Sequence, residues 1–325
     1  MRGLLALLTI VMGTTGAPLP AITAAPALEG ETSTARSPVP APAQEIRLGR
    51  KTMRMTVPVT VAGRGPYDFV IDTGAERSVL SRELASALEL DPGPDARLLD
   101  FAGAATVATV KVPSLVAGTL ATNAIEAPSL AMADIGAQGM LGIDALQGHK
   151  VVLDFDRGRM LLTPAKRHPD GDVRVRAALR RGQLIVTKAW FEGKPIAVVI
   201  DTGSWISVGN SAMLALAKKR PKLIAPIAVQ AVSGRYFRAS YVTVNGIKIG
   251  GINFDNFAIA FADAPPFESF GLRDKPALIL GLGSLRSFRR VEMDFVNREI
   301  GFSLPRPAID FNNLCRSASP CRSYP

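Results

Sequence analysis

The feature that most constrains this chain is an internal repeat built around the tripeptide Asp-Thr-Gly. Three apolar residues precede Asp72-Thr73-Gly74, and three apolar residues precede Asp201-Thr202-Gly203. A Ser-Val pair follows six residues after each aspartate, so both features recur with the same offset. A repeat of this kind fixes the architecture before any local detail, and it predicts two copies of one structural unit.

A second set of matches follows each tripeptide in the same order. Residues 139–142 read Gly-Met-Leu-Gly and residues 278–281 read Leu-Ile-Leu-Gly, and Asp-Phe recurs at 154–155 and 294–295. The offset is about ten residues larger here, so the second copy contains an insertion. A single Asp-Thr-Gly is explained by a simple turn, because Asp and Gly favour turns. Simple turns do not explain why the tripeptide and the later segments both recur in the same order in the two copies.

Hydrophobic patterning predicts that each copy is built mainly from strands. Apolar residues alternate from Met55 to Val61, which is the period of a half-buried strand. Apolar strands are then predicted from Tyr67 to Ile71 and from Ile196 to Ile200, each leading into an aspartate, with a turn at Gly63–Pro66. A short helix is predicted from Ser81 to Leu90. The 24 Pro and 29 Gly favour short strands and turns, so the fold class is mainly β, with two tandem lobes.

The remaining segments are placed around these two lobes. The first residues, Met-Arg and a short apolar run, predict a signal peptide cleaved after the small residues at 15–17 or at 25–27, and an uncleaved anchor is the alternative. We therefore expect an exported protein, periplasmic or secreted, with no stable membrane insertion after cleavage. The predicted organisation is signal peptide 1–27, Pro/Ala-rich linker 28–45, lobe one 46–165, inter-lobe linker 166–178, lobe two 179–305 and C-terminal tail 306–325.

The cysteine and histidine content excludes several kinds of catalytic centre. Cys315 and Cys321 are the only cysteines, and in an exported protein they predict a small local disulfide. His149 and His168 are the only histidines. Nucleophilic Ser-His or Cys-His catalysis and a zinc site are therefore unattractive, and we expect neither a metal nor a cofactor.

The net charge of +10 does not by itself indicate a charged partner. The basic residues are scattered in short groups, and no aromatic-rich nucleic-acid signature accompanies them. A solvated basic surface accounts for this pattern. We therefore expect no nucleic-acid partner.

Each tripeptide presents one carboxylate on a tight loop at the end of an apolar strand. The glycine allows a sharp turn that brings amide donors to the carboxylate. If the two loops meet, Asp72 and Asp201 lie side by side, and two such close carboxylates cannot both ionise readily. The ionised member can activate a water molecule while the protonated member polarises a substrate carbonyl. Two carboxylates could also serve a glycosidase, but that chemistry does not require repeated Asp-Thr-Gly loops.

These motifs resemble those of the retropepsin/pepsin superfamily of aspartic peptidases, and are most similar to bacterial exported retropepsin-like proteins with two lobes in one chain. The resemblance implies closed β-lobes of the acid protease fold, related by a pseudo-twofold axis, each with a short helix. It implies that Asp72 and Asp201 are the catalytic pair and that the two threonines bond across the lobe interface. The supporting residues that it implies are Thr73, Gly74, Ala75, Thr202, Gly203 and Ser204.

The resemblance also implies a hairpin flap in each lobe that covers the substrate. The candidate flap residues are Gly103 in lobe one and Gly234 and Tyr236 in lobe two, although Tyr236 is better explained as a strand aromatic. Glu76 and Trp205, which follow the two motifs, are candidate subsite residues or else exposed loop residues.

The predicted function is that of an aspartic endopeptidase acting on a peptide or protein substrate. Hydrolysis would use a water molecule activated between the two aspartates of one monomer. One alternative is a catalytically inactive module of the same fold that binds peptides or proteins. Another is a dimer whose sites form between chains, but two lobes on a short linker have a high effective concentration for pairing within one chain.

Overall fold

The structure is a computed structural model that describes residues 4–5, 55–165, 168–180 and 182–305. The predicted linker and the Cys315–Cys321 pair lie outside the described residues, as does the predicted signal peptide except for Leu4–Leu5. Those two residues form a short strand, β1, parallel to residues 98–99. No helix in the described part of the chain combines the length and the apolar character that a bilayer crossing requires.

The described residues form a mainly β structure with two related halves, which confirms the predicted fold class. The first half contains three short helices, α1 (Arg82–Ala87), α2 (Met132–Ile135) and α3 (Ile143–Leu146). Its strands are β2 (Thr56–Val61), β3 (Arg64–Ile71), β4 (Val79–Ser81), β5 (Ala96–Asp100), β6 (Gly103–Val107), β7 (Thr109–Val112), β8 (Leu115–Ala117), β9 (Leu120–Ala121), β10 (Ile125–Leu130), β11 (Gly139–Leu141), β12 (His149–Asp154) and β13 (Arg159–Pro164).

The second half repeats this order with its own three helices, α4 (Ser211–Leu214), α5 (Pro265–Ser269) and α6 (Leu282–Leu285). Its strands are β14 (Val173–Arg180), β15 (Gln183–Phe191), β16 (Lys194–Asp201), β17 (Val208–Gly209), β18 (Lys222–Gln230), β19 (Tyr236–Val244), β20 (Ile247–Ile249), β21 (Ile252–Phe254), β22 (Phe257–Phe261), β23 (Ala277–Gly281), β24 (Arg290–Asp294) and β25 (Glu299–Ser303).

The repeat seen in the sequence is also a repeat of strand pairing. In the first half β11 lies between β3 and β4, parallel to β3 and antiparallel to β4. In the second half β23 lies between β16 and β17 with the same directions. Both inserted strands are buried along their whole length, because they consist of the repeated apolar-Gly segments, residues 139–142 and 278–281. These segments pack behind the two aspartate loops.

Local chemistry explains where the first elements begin and end. Ala62 and Gly63 have positive φ angles of 48° and 75°, so the chain reverses there and β3 begins at Arg64, inside the predicted turn. Helix α1 begins after Ser81, whose hydroxyl accepts a hydrogen bond from the Leu84 amide at 3.1 Å. It is shorter than the predicted helix, and the positive φ of 53° at Glu89 follows its end.

A central sheet joins the two halves of the chain. Its strand order is β13-β12-β24-β25-β14-β15, so two strands from the end of the first half lie beside strands of the second half and join them where β12 pairs with β24. Strand β14 lies largely within the stretch that was predicted as the inter-lobe linker, and it pairs with both β25 and β15. The connection is therefore part of the sheet on the side of the second half, and the pairing that joins the two halves is that of β12 with β24.

A buried ion cluster lies on this central sheet. The carboxylate of Glu292 on β24 is fully buried, and its Oε2 lies 2.6 Å from Nζ of Lys150 on β12. Its Oε1 lies 2.6 Å from Nη2 of Arg290, and its Oε2 also accepts a hydrogen bond from the Asp170 amide at 3.2 Å. The carboxylate therefore ties together strands from both halves.

We expect Glu292→Gln to lower the free energy of unfolding by about 3–5 kcal/mol, because removing one partner leaves the largely buried Lys150 ammonium without its counter-ion. Urea denaturation followed by circular dichroism measures the change. Glu268→Gln is the matched control, since Glu268 pairs with Arg273 in an exposed position at 3.5 Å, and it should cost about 1 kcal/mol or less. Equal effects of the two substitutions would contradict a stabilising role for the buried cluster.

Candidate active site

The two aspartate loops meet at the interface between the lobes. Asp72 directly follows β3, and its amide donates to the Leu141 carbonyl of β11 at 2.9 Å. Asp201 ends β16 and pairs in register with Gly281 of β23. Because the same strand arrangement supports both residues, they occupy equivalent places in the two halves. Both side chains are fully buried.

Each carboxyl group is held by the backbone of its own loop. Oδ1 of Asp72 accepts hydrogen bonds from the amides of Gly74 at 2.8 Å and Ala75 at 3.0 Å. Oδ1 of Asp201 accepts from the amides of Gly203 at 2.9 Å and Ser204 at 3.2 Å. Oδ2 of each aspartate has no hydrogen-bond partner among the described residues outside the pair. In each aspartate, Oδ1 therefore orients the carboxyl group, and Oδ2 is the oxygen left for chemistry.

The threonines of the two loops bond reciprocally across the lobe interface. The Thr73 hydroxyl donates to the Ile200 carbonyl at 2.8 Å, and the Thr202 hydroxyl donates to the Ile71 carbonyl at 2.6 Å. Each hydroxyl also accepts the backbone amide of the other threonine, at 3.1 and 3.2 Å. All of these groups are buried, so leaving any one of them unpaired would be costly. The network fixes the two loops against each other within one chain.

Gly203 is required by the close approach of the loops. A Cβ atom at this position would lie 2.2 Å from Cγ of Asp72, which is far inside van der Waals contact. The backbone of the second loop therefore packs directly on the carboxyl group of the first loop. Only glycine allows this approach without displacing Asp72.

The two carboxyl groups differ in proton affinity. Burial raises the pKa of Asp72 well above its usual value, and the negative charge of Asp201 raises it further. Burial also raises the pKa of Asp201, to about 7, but hydrogen bonds from the Gly203 amide and from Asp72 oppose the rise. Asp201 therefore ionises first, and Asp72 keeps the proton that the two groups share.

This difference predicts a pH-dependent effect on stability. A carboxyl group whose pKa is higher in the folded state binds more protons there, so its contribution to stability falls as pH rises from about 4, the unfolded value. The fall continues through the pKa of Asp201, about 7. We expect the stability of Asp201→Asn relative to wild type to rise across this interval, by about 4 kcal/mol at most. Urea denaturation at a series of pH values measures the difference, and a difference that does not change with pH would contradict the assignment.

Two serines and a glutamine also support the site, and only the serines carried a sequence signal. The hydroxyls of Ser78 and Ser207 accept the amides of Gly142 at 3.1 Å and Gly281 at 3.0 Å, which ties each loop to the apolar-Gly segment behind it. Both serines belong to the repeated Ser-Val pair. The buried side chain of Gln183 donates to the Gly74 carbonyl at 3.1 Å from the other half of the chain, and no motif marks it.

The structure places the candidate flap residues in two hairpins. Gly103 begins β6, and Gly234 lies in the turn between β18 and β19. The side chain of Tyr236 is 53% exposed, which fits a strand aromatic better than a buried substrate contact. Glu76 and Trp205 are half-buried beside the loops, and the guanidinium of Arg286 lies 5.4 Å from the centre of the Trp205 ring.

Two adjacent carboxyl groups with unequal proton affinities are suited to general acid–base catalysis of hydrolysis. Oδ2 of one aspartate can take a proton while Oδ2 of the other donates one, without a change in the hydrogen bonds from the loop amides to Oδ1. Among the described residues, no group of three or more His, Cys, Asp or Glu side chains is placed to hold a metal ion.

A family model described as aspartyl protease matches residues 57–145 and 187–283. The two matched regions together cover more than half of the chain, and each contains one of the Asp-Thr-Gly loops. The chain belongs to the aspartyl protease family. No curated protein matches it significantly.

Proposed function

We propose that this protein is an aspartic endopeptidase that hydrolyses peptide bonds with a water molecule activated between Asp72 and Asp201. One observation carries the proposal: in each of the two buried carboxyl groups Oδ1 is held by loop amides, while Oδ2 has no hydrogen-bond partner outside the pair. This arrangement supports catalysis within one monomer, because both loops belong to the same chain and their threonines bond to each other.

The proton positions assign a role to each aspartate. The Asp201 carboxylate accepts a proton from the water as the water oxygen attacks the peptide carbonyl carbon. Asp72 donates its proton to the carbonyl oxygen, which gives a neutral tetrahedral diol. When the C–N bond breaks, the nitrogen receives the proton held by Asp201, and a diol hydroxyl returns a proton to Asp72. The products are a carboxylic acid and an amine, and the pair is back in its starting state.

The second candidate function is an inactive peptide- or protein-binding module of the same fold. The complete burial of both aspartates in the structure favours this alternative, because a substrate cannot reach them without a conformational change. The retention of both aspartates and both loop glycines favours the enzyme. The two candidates differ in a single outcome, namely whether a bound peptide is cut.

A diverse peptide library tests the proposal. The full chain is incubated with the library from pH 3 to 8, and mass spectrometry detects products with new amino and carboxyl ends. We expect cleavage that persists in the presence of a metal chelator and increases as Asp201 ionises, since the pKa of Asp201 is about 7. Binding without cleavage at every pH would favour the inactive module.

We also propose that the protein is exported and acts in the periplasm or outside the cell. The support is the sequence pattern of residues 1–27, which has a basic residue, a short apolar run and small residues that suit a cleavage site. Sequencing the amino terminus of the protein recovered from its native source tests the proposal. A mature terminus after residues 15–17 or 25–27 is expected, and an intact Met1 would contradict it.

A further inference from the structure

The second half of the chain contains a long stretch without acidic residues. Residues 202–254 include seven Lys or Arg and no Asp or Glu, although the whole chain has 28 acidic residues. The positive charge of this stretch is therefore not balanced by carboxylates within it. Its densest part is the connection between α4 and β18, where Lys218, Lys219, Arg220 and Lys222 lie within five residues.

Large apolar side chains are exposed beside these cations. Leu223 is 58% exposed, the highest value for a large apolar residue in the described part of the chain, and its neighbour Ile224 is 43% exposed. Leu214, at the end of α4, is exposed as well. Single exposed apolar residues are common, but a group of them marks an interaction surface. We call the following residues the basic-apolar patch: Leu214, Lys219, Arg220, Lys222, Leu223 and Ile224.

The cations of the patch are not neutralised by nearby carboxylates. Nζ of Lys218 lies 3.5 Å from Oε2 of Glu192, and Lys218 is left out of the patch for this reason. Lys219, Arg220 and Lys222 are exposed, and none of them forms an ion pair with a residue that the structure describes. The patch therefore presents positive charge and apolar surface to solvent together.

The edge of the sheet is not suited to a further strand as the partner. β18 is the last strand of its sheet. Its pairing with β19 shifts between Leu223 and Ala225, so Ile224 is the extra residue of a bulge, and Pro226 follows it. Bulges and prolines protect an edge strand from pairing with another chain. The partner is therefore one that contacts side chains and does not extend the sheet.

The composition of the patch favours a lipid surface over a nucleic acid. Proteins that bind single-stranded nucleic acid stack bases on aromatic side chains, and the patch contains none. A bilayer surface offers anionic headgroups to the cations and an acyl boundary to the leucine and isoleucine side chains. Both kinds of side chain in the patch are used by such a surface.

We propose that the basic-apolar patch binds reversibly to the surface of a bilayer that contains anionic phospholipids. This peripheral contact requires no inserted helix. The patch lies at the end of β18 that is remote from the turn at Gly234, and the eight steps from Lys222 to Gln230 span about 25 Å. Val232, in that turn, is the residue that packs with Ala75 of the first aspartate loop. The bilayer contact is therefore separate from the aspartate loops, and it does not rest on the proposed function.

Cosedimentation of the full chain with lipid vesicles tests the proposal. One set of vesicles is an equimolar mixture of phosphatidylcholine and phosphatidylglycerol, and the other is phosphatidylcholine alone. We expect tighter binding to the anionic vesicles, and this preference should weaken as the salt concentration rises. The apolar run that begins at Leu4 is present in every sample, so differences between variants report the patch.

The triple variant Lys219→Gln, Arg220→Gln, Lys222→Gln should bind the anionic vesicles about a hundredfold more weakly than wild type, because each cation near such a surface contributes about fivefold. The matched control replaces Arg82, Arg97 and Lys111 by glutamine. These residues are exposed in the first half, so the control removes the same charge outside the patch. Its binding should stay within about twofold of wild type. Equal binding by wild type and the patch variant would overturn the proposal.

The double variant Leu223→Ser, Ile224→Ser distinguishes a bilayer from other acidic partners. It keeps every charge, and it should bind the anionic vesicles about tenfold more weakly or worse, because two apolar side chains no longer enter the lipid boundary. Both side chains are exposed, so the fold should be retained, which circular dichroism verifies. If this variant binds vesicles as wild type does, and both bind a DNA duplex, the surface is a purely electrostatic one and the lipid proposal fails.

Discussion

Asparagine at either Asp72 or Asp201 is expected to lower kcat for peptide hydrolysis by at least about 10³-fold, because positioned acid–base catalysis contributes rate factors of about 10²–10⁴. Asp201→Asn removes the group that accepts the proton of the water. Asp72→Asn removes the group that donates a proton to the carbonyl oxygen. Neither loss can be compensated by the partner, because the mechanism uses one ionised and one protonated carboxyl group at the same time.

The matched control for these variants is Asp255→Asn, which makes the same chemical change at an exposed position between β21 and β22. It should keep wild-type kcat. Circular dichroism should show that both active-site variants remain folded, since asparagine is uncharged in this buried site and leaves the size of the side chain unchanged. If only one of the two variants loses activity, the aspartates do not act as one pair.

Gly203→Ala is expected to reduce kcat by about 10²-fold or more, although it changes no catalytic group. The added Cβ would lie 2.2 Å from Cγ of Asp72, so either the carboxyl group or the second loop must move by more than an ångström. A displacement of that size at a catalytic group costs about 10²-fold in rate. Steady-state kinetics on a cleaved peptide measure the loss, which should appear in kcat.

Gly193→Ala separates this steric effect from a general effect of replacing glycine. Gly193 has a positive φ of 80°, but a Cβ atom there would meet nothing within 4 Å. Its replacement should cost about 1 kcal/mol of stability through backbone strain and leave kcat unchanged. Wild-type activity in Gly203→Ala would show that the loops do not approach each other as the structure describes.

The sequence predicts the parts of this fold that depend on local pattern and repetition. The alternation before Asp72 and the repeat at Asp201 identify the strands that lead to the loops, and the apolar-Gly segments identify the strands behind them. These features are local, because each is determined by residues within a few positions of one another. The repeat supplies the one long-range relation, which is the equivalence of the two halves.

The features that the sequence does not predict depend on contacts between distant residues. Lys150 and Glu292 meet because β12 of the first half pairs with β24 of the second half, and a charged residue in an apolar strand does not identify its partner. The same applies to Gln183, which reaches the Gly74 carbonyl from the opposite half. Phe101 of the first half is buried among second-half residues, and Val232 of the second half is buried among first-half residues. These contacts depend on how the two hairpins lie relative to each other, which the hydrophobic pattern within either hairpin does not determine.

Peptide cleavage by wild type, by Asp72→Asn, by Asp201→Asn and by an equimolar mixture of the two variants tests the central claim most directly. If the two aspartates of one chain form the catalytic pair, wild type cleaves, and both variants and their mixture are inactive. Recovery of activity in the mixture would show that intact lobes pair between chains. An inactive wild type, or an active single variant, would contradict the assignment of Asp72 and Asp201 as the catalytic pair.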